Sequence, residues 1–594
     1  MLNHFLEQAR KDEPVYITDV RNAFQKEGTR PFHLQVTLYD GSERSFPLVL
    51  PETENREEEV FTASYVHAMI YNILSSLGAV KIGIYTDPSD EWTAALADGL
   101  DEVFQTESAK AERTGYGKSL NVNERILAVL LKGKYRFHFE HRNVSEEKPA
   151  AVQNREVKGE AVFAALPELA GDKMILGIDI GGTDIKLTAS VNGILAVYKE
   201  FDWFPAGFET AEQLIDPVLM LTRMMCAAAS LESEGRSGEV DKAAFEKDAS
   251  FETMERGIKS MEQAAGETLR RFDAIGLSFP DVVIRNLIVG GETHKTKGMR
   301  ENKNLDYEEQ FAKISVLCED LKAFVTEGGA VMNTNDGPMA AFTAAVEQAS
   351  AGEDVSNGFF AHTLGTELGT GWVLPDGTIP EIPLEVYNFI IDLGSFGQKQ
   401  YPSNDVRSIN NYNTDLPGTL QKYTCQSGVF RLAMKYLPGE APEIYREALE
   451  QGLFVWNHEE AAVPTEPKDM RKPCLEFFMK KAEESESCGE IFRKVGEYLA
   501  VTWEETDYIL NPAAKERSLF GRLVKNPVCF RLMCEGAARR KPDLKQYAAD
   551  GSLANTDLMK QLEAHPDYTV AQFAQAVGAI YFGCLGLKQK QETP

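Results

Sequence analysis

Apolar and polar residues alternate at Phe32, Leu34, Val36 and Leu38 up to Asp40-Gly41, and Phe46 to Leu50 returns as a partner. Period two on both sides of a turn dipeptide predicts a β-hairpin with one buried face. Val60 to Leu77 reads as an amphipathic or buried helix, Val80 to Tyr85 as a buried strand, and Trp92 to Phe104 as a further helix. Residues 1–150 are therefore expected to form an α+β domain, ending in a polar linker around Val144 to Glu160. The acidic run Glu52 to Glu59 is expected to be a solvated loop. Nothing in this part carries recognisable chemistry.

A different pattern starts at Met174. The apolar run Met174-Ile-Leu-Gly-Ile-Asp-Ile180 meets Gly181-Gly182-Thr183 and leaves again as a strand, and Asn192-Gly193 supplies a second tight turn. Three strands follow one another with no room for a crossover helix. Such a hairpin suits phosphate, because glycines able to take positive φ leave no Cβ between backbone N–H groups and an anion, and Thr183 adds a hydroxyl. Asp179, just before the turn, is placed to hold Mg²⁺ or its waters. Rossmann and Walker A loops must open a helix, whereas this turn opens a strand. The pattern recurs between Asn357 and Ile382: an apolar strand meets Gly365-Thr366, leaves through Gly369-Thr370-Gly371 and turns at Asp376-Gly377. Two such hairpins facing one another would hold a polyphosphate from both sides.

Composition narrows the partners. With 594 residues, 43% of them hydrophobic, the chain is long enough for about three or four domains. A net charge of −29 argues against nucleic acid and anionic membranes. The eight cysteines lack Cys-x-Cys or Cys-x₂-Cys spacing, so reduced core residues are expected and a structural zinc is not. The first residues lack a basic, then apolar, leader pattern, and no stretch approaching a membrane span is expected. The expected place is the cytoplasm.

Asp179-Ile-Gly-Gly-Thr-Asp-Ile-Lys186 resembles the first phosphate motif of the actin/sugar-kinase superfold, and Leu364-Gly-Thr-Glu-Leu-Gly-Thr-Gly371 its second. The set is most similar to the ROK group of repressors and sugar kinases. Ile275-Gly-Leu-Ser-Phe-Pro280 resembles the strand before the sugar loop, with Asp281 where the family usually has Gly. Val331-Met-Asn-Thr-Asn-Asp-Gly-Pro-Met-Ala340, with Glu347 on the following helix, resembles the Asn-Asp signature. Leu510-Asn-Pro512, Leu519-Phe-Gly-Arg-Leu-Val524 and Ala576-Val-Gly-Ala579 resemble the adenosine-side strand and closing helix. The family's Glu-x-Gly-His has its best counterpart in Glu385-Val-Tyr-Asn388, and Gly521-Arg522 stands where two glycines are usual.

The resemblance implies an α/β fold of two ribonuclease-H-like (actin/hexokinase-type) domains around a cleft, preceded by the extra α+β domain. A first lobe over 172–335 would carry a helical insertion near 231–266, and a second over 336–594 an insertion near 430–500. The implied activity is that of an ATP- and Mg-dependent carbohydrate kinase acting on a small-molecule sugar, with a homo-oligomer left open. Asp336 would be the catalytic base. Gly181, Gly182, Thr183, Lys186, Gly365, Thr366, Gly369, Thr370, Gly371 and Gly521 would bind the nucleotide, Asp179 the Mg²⁺, and Asn335, Glu385, Asn388 and Lys295 the sugar. From local sequence alone, Asn335 or Asp336 serves equally as a helix N-cap before Gly337-Pro338. His294-Lys295-Thr-Lys297 reads by itself more readily as a solvated loop than as a basic cluster that selects an anionic sugar or shields the phosphate. A repressor is disfavoured by the N-terminal hairpin and acidic run. A non-catalytic sugar or nucleotide sensor and a polyphosphate-dependent kinase both stay open.

Overall fold

The computed structural model describes residues 1–133, 135–143, 162–290, 294–365, 368–396, 401–402, 405–408, 411, 414–419, 423–457, 460–543, 546–548 and 554–592. Contacts divide the chain into two compact units: Met1–Glu156 with His362–Thr370 and Ile382–Ala548, and Val157–Ala361 with Gly371–Glu381 and Ala549–Pro594. The linker expected at 144–160 lies outside the described residues.

In the first unit, β1 (Arg30–Thr37) and β2 (Glu43–Leu50) form the expected hairpin. β3 (Lys81–Thr86) runs antiparallel to β1, and β4 (His138–Asn143), which the pattern did not announce, lies parallel to β3. Phe32, Leu34 and Val36 are fully buried, so the period-two face points inward. The acidic run is a loop only through Asn55, and its second half is helical. Asn55 caps the helix Arg56–Ser76 by accepting from the Glu58 N–H, and Glu57, Glu58 and Glu59 occupy its first turn, where carboxylates complement the helix dipole. The expected helix Trp92 to Phe104 is broken at Gly99 into Glu91–Asp98 and Leu100–Phe104.

A boundary falls near 150, between Glu156 and Val157, but the residues before it share their unit with 382–548. From Ala68 to Ser76 every residue of the Arg56–Ser76 helix is buried, and a helix buried all round needs more protein than one four-stranded sheet supplies. Residues 382–548 supply it. Arg21 ion-pairs with Glu505 in the interior, and Arg540 meets Asp19 at 2.5 Å. The expected insertion near 430–500 is helical, with Gln426–Glu440, Pro442–Glu450, Arg471–Lys481 and Glu486–Ile509 all in this unit.

The second unit is built on β5 (Met174–Ile180), β6 (Asp184–Val191), β7 (Ile194–Asp202), β8 (Phe272–Phe279) and β9 (Val325–Asn335). Their order is β9-β8-β5-β6-β7, with β5, β6 and β7 an antiparallel meander and β8 and β9 parallel to their neighbours. An antiparallel meander whose first strand borders two parallel ones, in order 3-2-1-4-5, is the ribonuclease-H-like arrangement. The closing helix Val570–Glu592 lies directly on this sheet. A Cβ on Gly177 would sit 1.8 Å from the Ala576 carbonyl oxygen, and one on Gly276 1.7 Å from that of Ala579. Glycine is required at both strand positions for the backbones to meet.

The stretch 231–266 is helical as expected, yet Met254, Ile258 and Met261 of Phe251–Ala265 join the core of the sheet rather than standing in solvent. Contrary to expectation, two helices, Glu212–Ser233 and Val570–Glu592, are long and apolar enough to cross a membrane by length and composition; 78% and 67% of these apolar windows are buried inside the protein.

A further four-stranded sheet has the order β11-β10-β12-β13, from β10 (Phe359–Leu364), β11 (Leu368–Val373), β12 (Arg517–Phe520) and β13 (Gln546–Ala548). The Asp376-Gly377 turn forms, with Gly377 at φ +80. No third strand follows it through residue 385, because Pro380 and Pro383 lack the N–H that a ladder needs.

Candidate functional site

Three parallel strands of the second unit end at one edge of their sheet. Asp179 stands beside Ser278 in the register of β5 and β8, and Ser278 beside Thr334 in that of β8 and β9. The Gly turn, Pro280-Asp281 and Asp336 therefore leave the sheet side by side. In open parallel sheets this carboxyl edge is where ligands bind.

The first hairpin tip presents Gly182 and Thr183 to solvent. Neither Gly181 nor Gly182 has positive φ, so their use lies in size and not in handedness. A Cβ on Gly181 would come within 2.9 Å of the Asp184 carbonyl and carboxylate oxygens, and one on Gly182 within 3.4 Å of the Lys295 side chain. Trp203, just past the end of β7 and missed by sequence reasoning, pins the turn: its backbone N–H donates to the Thr183 carbonyl and its indole N–H to that of Gly181, both at 3.0 Å.

The Asn-Asp signature resolves into two roles. Asn335 is the N-cap of Asp336–Ser350: its Oδ1 accepts from the Gly337 N–H at 3.0 Å, while its Nδ2 donates to the Asp281 carbonyl at 2.8 Å. Both ends of the side chain are engaged inside the protein. Asp336 is left as the first helical residue, exposed, with Oδ1 also accepting from the Gly337 N–H at 2.8 Å. Glu347, on the same helix, is fully buried and takes the N–H groups of Asn555 and Thr556 at 2.7 and 2.8 Å, so it anchors the segment before the closing helix.

Charge is concentrated here. Burial pushes the Asp179 carboxyl up to about 7, with the negative charges of Asp336 and Asp184 adding to the rise while Lys186 and a hydrogen bond with Ser278 oppose it. Although Asp336 is exposed as a residue, the protein packed around the sheet edge desolvates its carboxyl and raises it, opposed by Lys295. Lys186, the register partner of Asp179, donates to Asp184 at 2.5 Å. Lys295 donates to the Pro280 carbonyl at 3.3 Å. The basic cluster thus contributes Lys295 to the carboxylates and the Gly turn. Gln575 of the closing helix, also missed from sequence, donates at 2.9 Å to both the Ser278 hydroxyl and the Asp336 carbonyl. A Gln inside an apolar helical run was its one visible signal.

The second hairpin is less open to a ligand. Thr366 lies outside the described residues. Thr370 is buried, its hydroxyl 3.1 Å from Nδ1 of His362, whose ring burial holds at about 3 and therefore neutral. The Gly365 carbonyl accepts from the Gln426 N–H at 3.2 Å, and a Cβ on Gly369 would rest 3.4 Å from that of Thr363. Gly371 is a packing glycine, its would-be Cβ 2.2 Å from the Gly337 carbonyl oxygen. Gly521, at φ +98, lies against the Leu364 backbone, where a Cβ would meet the carbonyl oxygen at 2.2 Å. Glu385 and Asn388 do come together: Asn388 Nδ2 donates to Glu385 Oε2 at 3.0 Å, and Asn411 Nδ2 donates to Asn388 Oδ1 at 2.8 Å. Asn411 had no sequence signal.

Asp179 supplies one carboxylate at this sheet edge, and among the described residues no three His, Cys, Asp or Glu converge to hold a metal. That donor set fits Mg²⁺, which is held through one or two carboxylates and completed by phosphate oxygens and water.

No family model matches the chain, and no curated protein matches it. Among solved structures it is similar to a ROK family glucokinase from Streptomyces griseus in complex with glucose and AMPPNP, at 14% identity and TM-score 0.35 over 65% of this chain and 97% of that one. It is also similar to the ROK hexokinase from Thermus thermophilus, at 14% and 0.33 over 66% and 97%, and to a glucokinase from Parabacteroides distasonis, at 13% and 0.34 over 71% and 98%. The chain is thus similar to solved ROK sugar kinases, while its ribonuclease-H-like half is assigned from the strand order itself.

Proposed function

We propose that this chain is a ROK-type sugar kinase, moving the γ-phosphate of ATP to a hydroxyl of a hexose or related sugar. The observation that carries this is the convergence of Asp179, the Gly181-Gly182-Thr183 turn, Lys295 and Asp336 at the carboxyl edge of β5, β8 and β9. Phosphoryl transfer asks for positioning, charge neutralisation and a base near the attacking hydroxyl. Asp336 is freed from capping by Asn335 and serves as that base. Its raised pKa favours accepting a proton. The Gly turn and Thr183 receive phosphate oxygens, Lys186 and Lys295 supply positive charge, and Asp179 holds Mg²⁺. When bound, the ion would neutralise phosphate charge. Glu385 and Asn388 form the sugar-hydroxyl pair, and Gly365, Gly369 and Gly521 serve the nucleotide through backbone. We place the enzyme in the cytoplasm.

The experiment is a coupled ADP-release assay over hexoses, hexosamines, sugar acids and their phosphates, with Mg²⁺ and with ATP or polyphosphate as donor. Sugar-dependent ADP release supports the proposal; turnover only with polyphosphate moves the donor assignment. A non-catalytic sensor is favoured by the internal engagement of Asn335 and Thr370. Nucleotide or sugar binding without turnover of any substrate decides for it.

A further inference from the structure

The segment that carries Glu385 and Asn388 is gripped by residues from the N-terminal region of the same unit. The Leu384 N–H donates to the Ser76 carbonyl and the Glu385 N–H to the Ser75 carbonyl, both at 3.0 Å. These are carbonyls at the end of the Arg56–Ser76 helix, where the last turn has no intrahelical partners. Asn72, fully buried, clamps the other end of the segment from both sides: its Oδ1 accepts from the Ile390 N–H at 2.8 Å and its Nδ2 donates to the Ile390 carbonyl at 3.1 Å. The same Nδ2 lies 3.2 Å from Glu505 Oε1, whose other oxygen pairs with Arg21, so the clamp's orientation is itself fixed. Further on, Tyr16 forms an isolated antiparallel bridge with Asp392. The Ile17 N–H donates to the Ile391 carbonyl at 3.0 Å, the Leu393 N–H to the Val15 carbonyl at 2.8 Å, and the Val15 N–H to the Asp392 carboxylate at 2.8 Å. Within this grip Leu384 is held at φ +55, a left-handed conformation unfavourable for a leucine, which persists only where surrounding contacts over-determine it.

We infer that the N-terminal region is the platform that sets the pose of the Glu385–Asn388 pair, with Asn72 as its principal positioning residue. This rests on the assignment of Glu385 to the sugar. An irregular segment preceded by Pro380 and Pro383 has no ladder of its own to hold a carboxylate steady; beside the bonds its far end makes to Gly418 and Thr419, the backbone-to-backbone bonds from 15–17 and 75–76 and the Asn72 clamp replace one. A side chain that binds two hydroxyls tolerates little displacement, and misplacement by about 1 Å costs on the order of 10²-fold.

The test uses the full chain carrying Asn72→Ala, with Asn72→Ser as the milder variant should the first not fold, and Leu48→Ala in the N-terminal sheet as a control for general destabilisation. Amide hydrogen exchange is read over 384–393, and kinetics on D-glucose, D-mannose, N-acetylglucosamine and N-acetylmannosamine. The expected result is faster exchange over 384–393 and a sugar KM raised about 10- to 100-fold, with kcat and the KM for ATP within about twofold of the parent and Leu48→Ala showing neither change. Unchanged exchange overturns the clamp. Loosened exchange with unchanged sugar KM, or equal effects from Leu48→Ala, overturns positioning. A Glu385→Gln variant with unaltered sugar KM overturns the sugar role of Glu385 itself, a failure separate from that of the clamp.

Discussion

Gly371 lies against the first turn of the helix that begins at Asp336, so closely that a Cβ on it would stand 2.2 Å from the Gly337 carbonyl oxygen and 2.6 Å from the Ala341 Cβ. Neither neighbour is the flexible end of a side chain, so any substitution must displace backbone. Gly371→Ala is expected to lower Tm by several degrees and to reduce kcat/KM more than tenfold, since the displaced turn is the one that carries Asp336. Thermal melts and sugar-kinase kinetics on this variant check it; a parent-like Tm would show that the helix is free to move.

Asp336→Asn separates catalysis from folding. Asn335 already supplies the cap, so Asn at 336 should leave Tm within a degree or two. Loss of general-base assistance should lower kcat by roughly 10²–10⁴, with sugar affinity little changed. Near-normal turnover would remove Asp336 from the chemistry.

Asp179 gives the pH dependence. With its carboxyl at about 7, above the ordinary carboxylate range, the folded metal-free protein keeps a proton that the unfolded chain loses at lower pH. Its stabilising contribution is therefore complete below about pH 4 and lost as pH rises through about 7. Tm measured from pH 5 to 8 should fall more steeply for the parent than for Asp179→Asn. Because a metal needs the ionised carboxylate, Mg²⁺-nucleotide should stabilise the parent increasingly over that window. Parallel curves for parent and variant would contradict the assignment.

Gln575 ties the closing helix to Ser278 and to the Asp336 carbonyl. Gln575→Leu retains the apolar helix but strips both bonds, and a loss of about 1–2 kcal/mol in stability is expected, with kcat lowered a few-fold. Denaturant unfolding alongside kinetics measures both; an unchanged midpoint would make those bonds incidental.

The fragment 1–150 should not fold alone. It would leave Arg21 without Glu505 and the all-round-buried end of the Arg56–Ser76 helix exposed, and breaking a buried ion pair costs about 3–5 kcal/mol. Circular dichroism and limited proteolysis of the fragment test this, a protease-resistant, cooperatively melting fragment being the opposite outcome.

Much of the local architecture was legible in the chain. Period-two alternation announced the Phe32 to Leu50 hairpin and Asp40-Gly41 its turn, Asn192-Gly193 the turn between β6 and β7, and Gly337-Pro338 the opening of the helix at Asp336, because each follows from backbone preferences of nearby residues. The same preferences left Asn335 and Asp336 interchangeable as caps, and only the tertiary structure, by turning Asn335 Nδ2 onto Asp281, assigned the cap to one and left the carboxylate to the other. Residues far apart in sequence made the remaining decisions. The Glu52 to Glu59 run looked like a solvated loop because its charge is local, whereas the helical fate of its second half depends on what the following helix buries. Gln575, Trp203 and Asn72 carry no motif; each matters through a backbone group far away along the chain. That residues 1–156 share a unit with 382–548 was hidden for the same reason, since a composition shift marks where the chain is polar, while unit membership is set by which apolar faces need one another to be covered. Sequence by itself determined the strands, turns and glycines that make a phosphate hairpin feasible, and the tertiary structure decided which glycines meet backbone, which carboxylates share one edge, and what holds Glu385 in place.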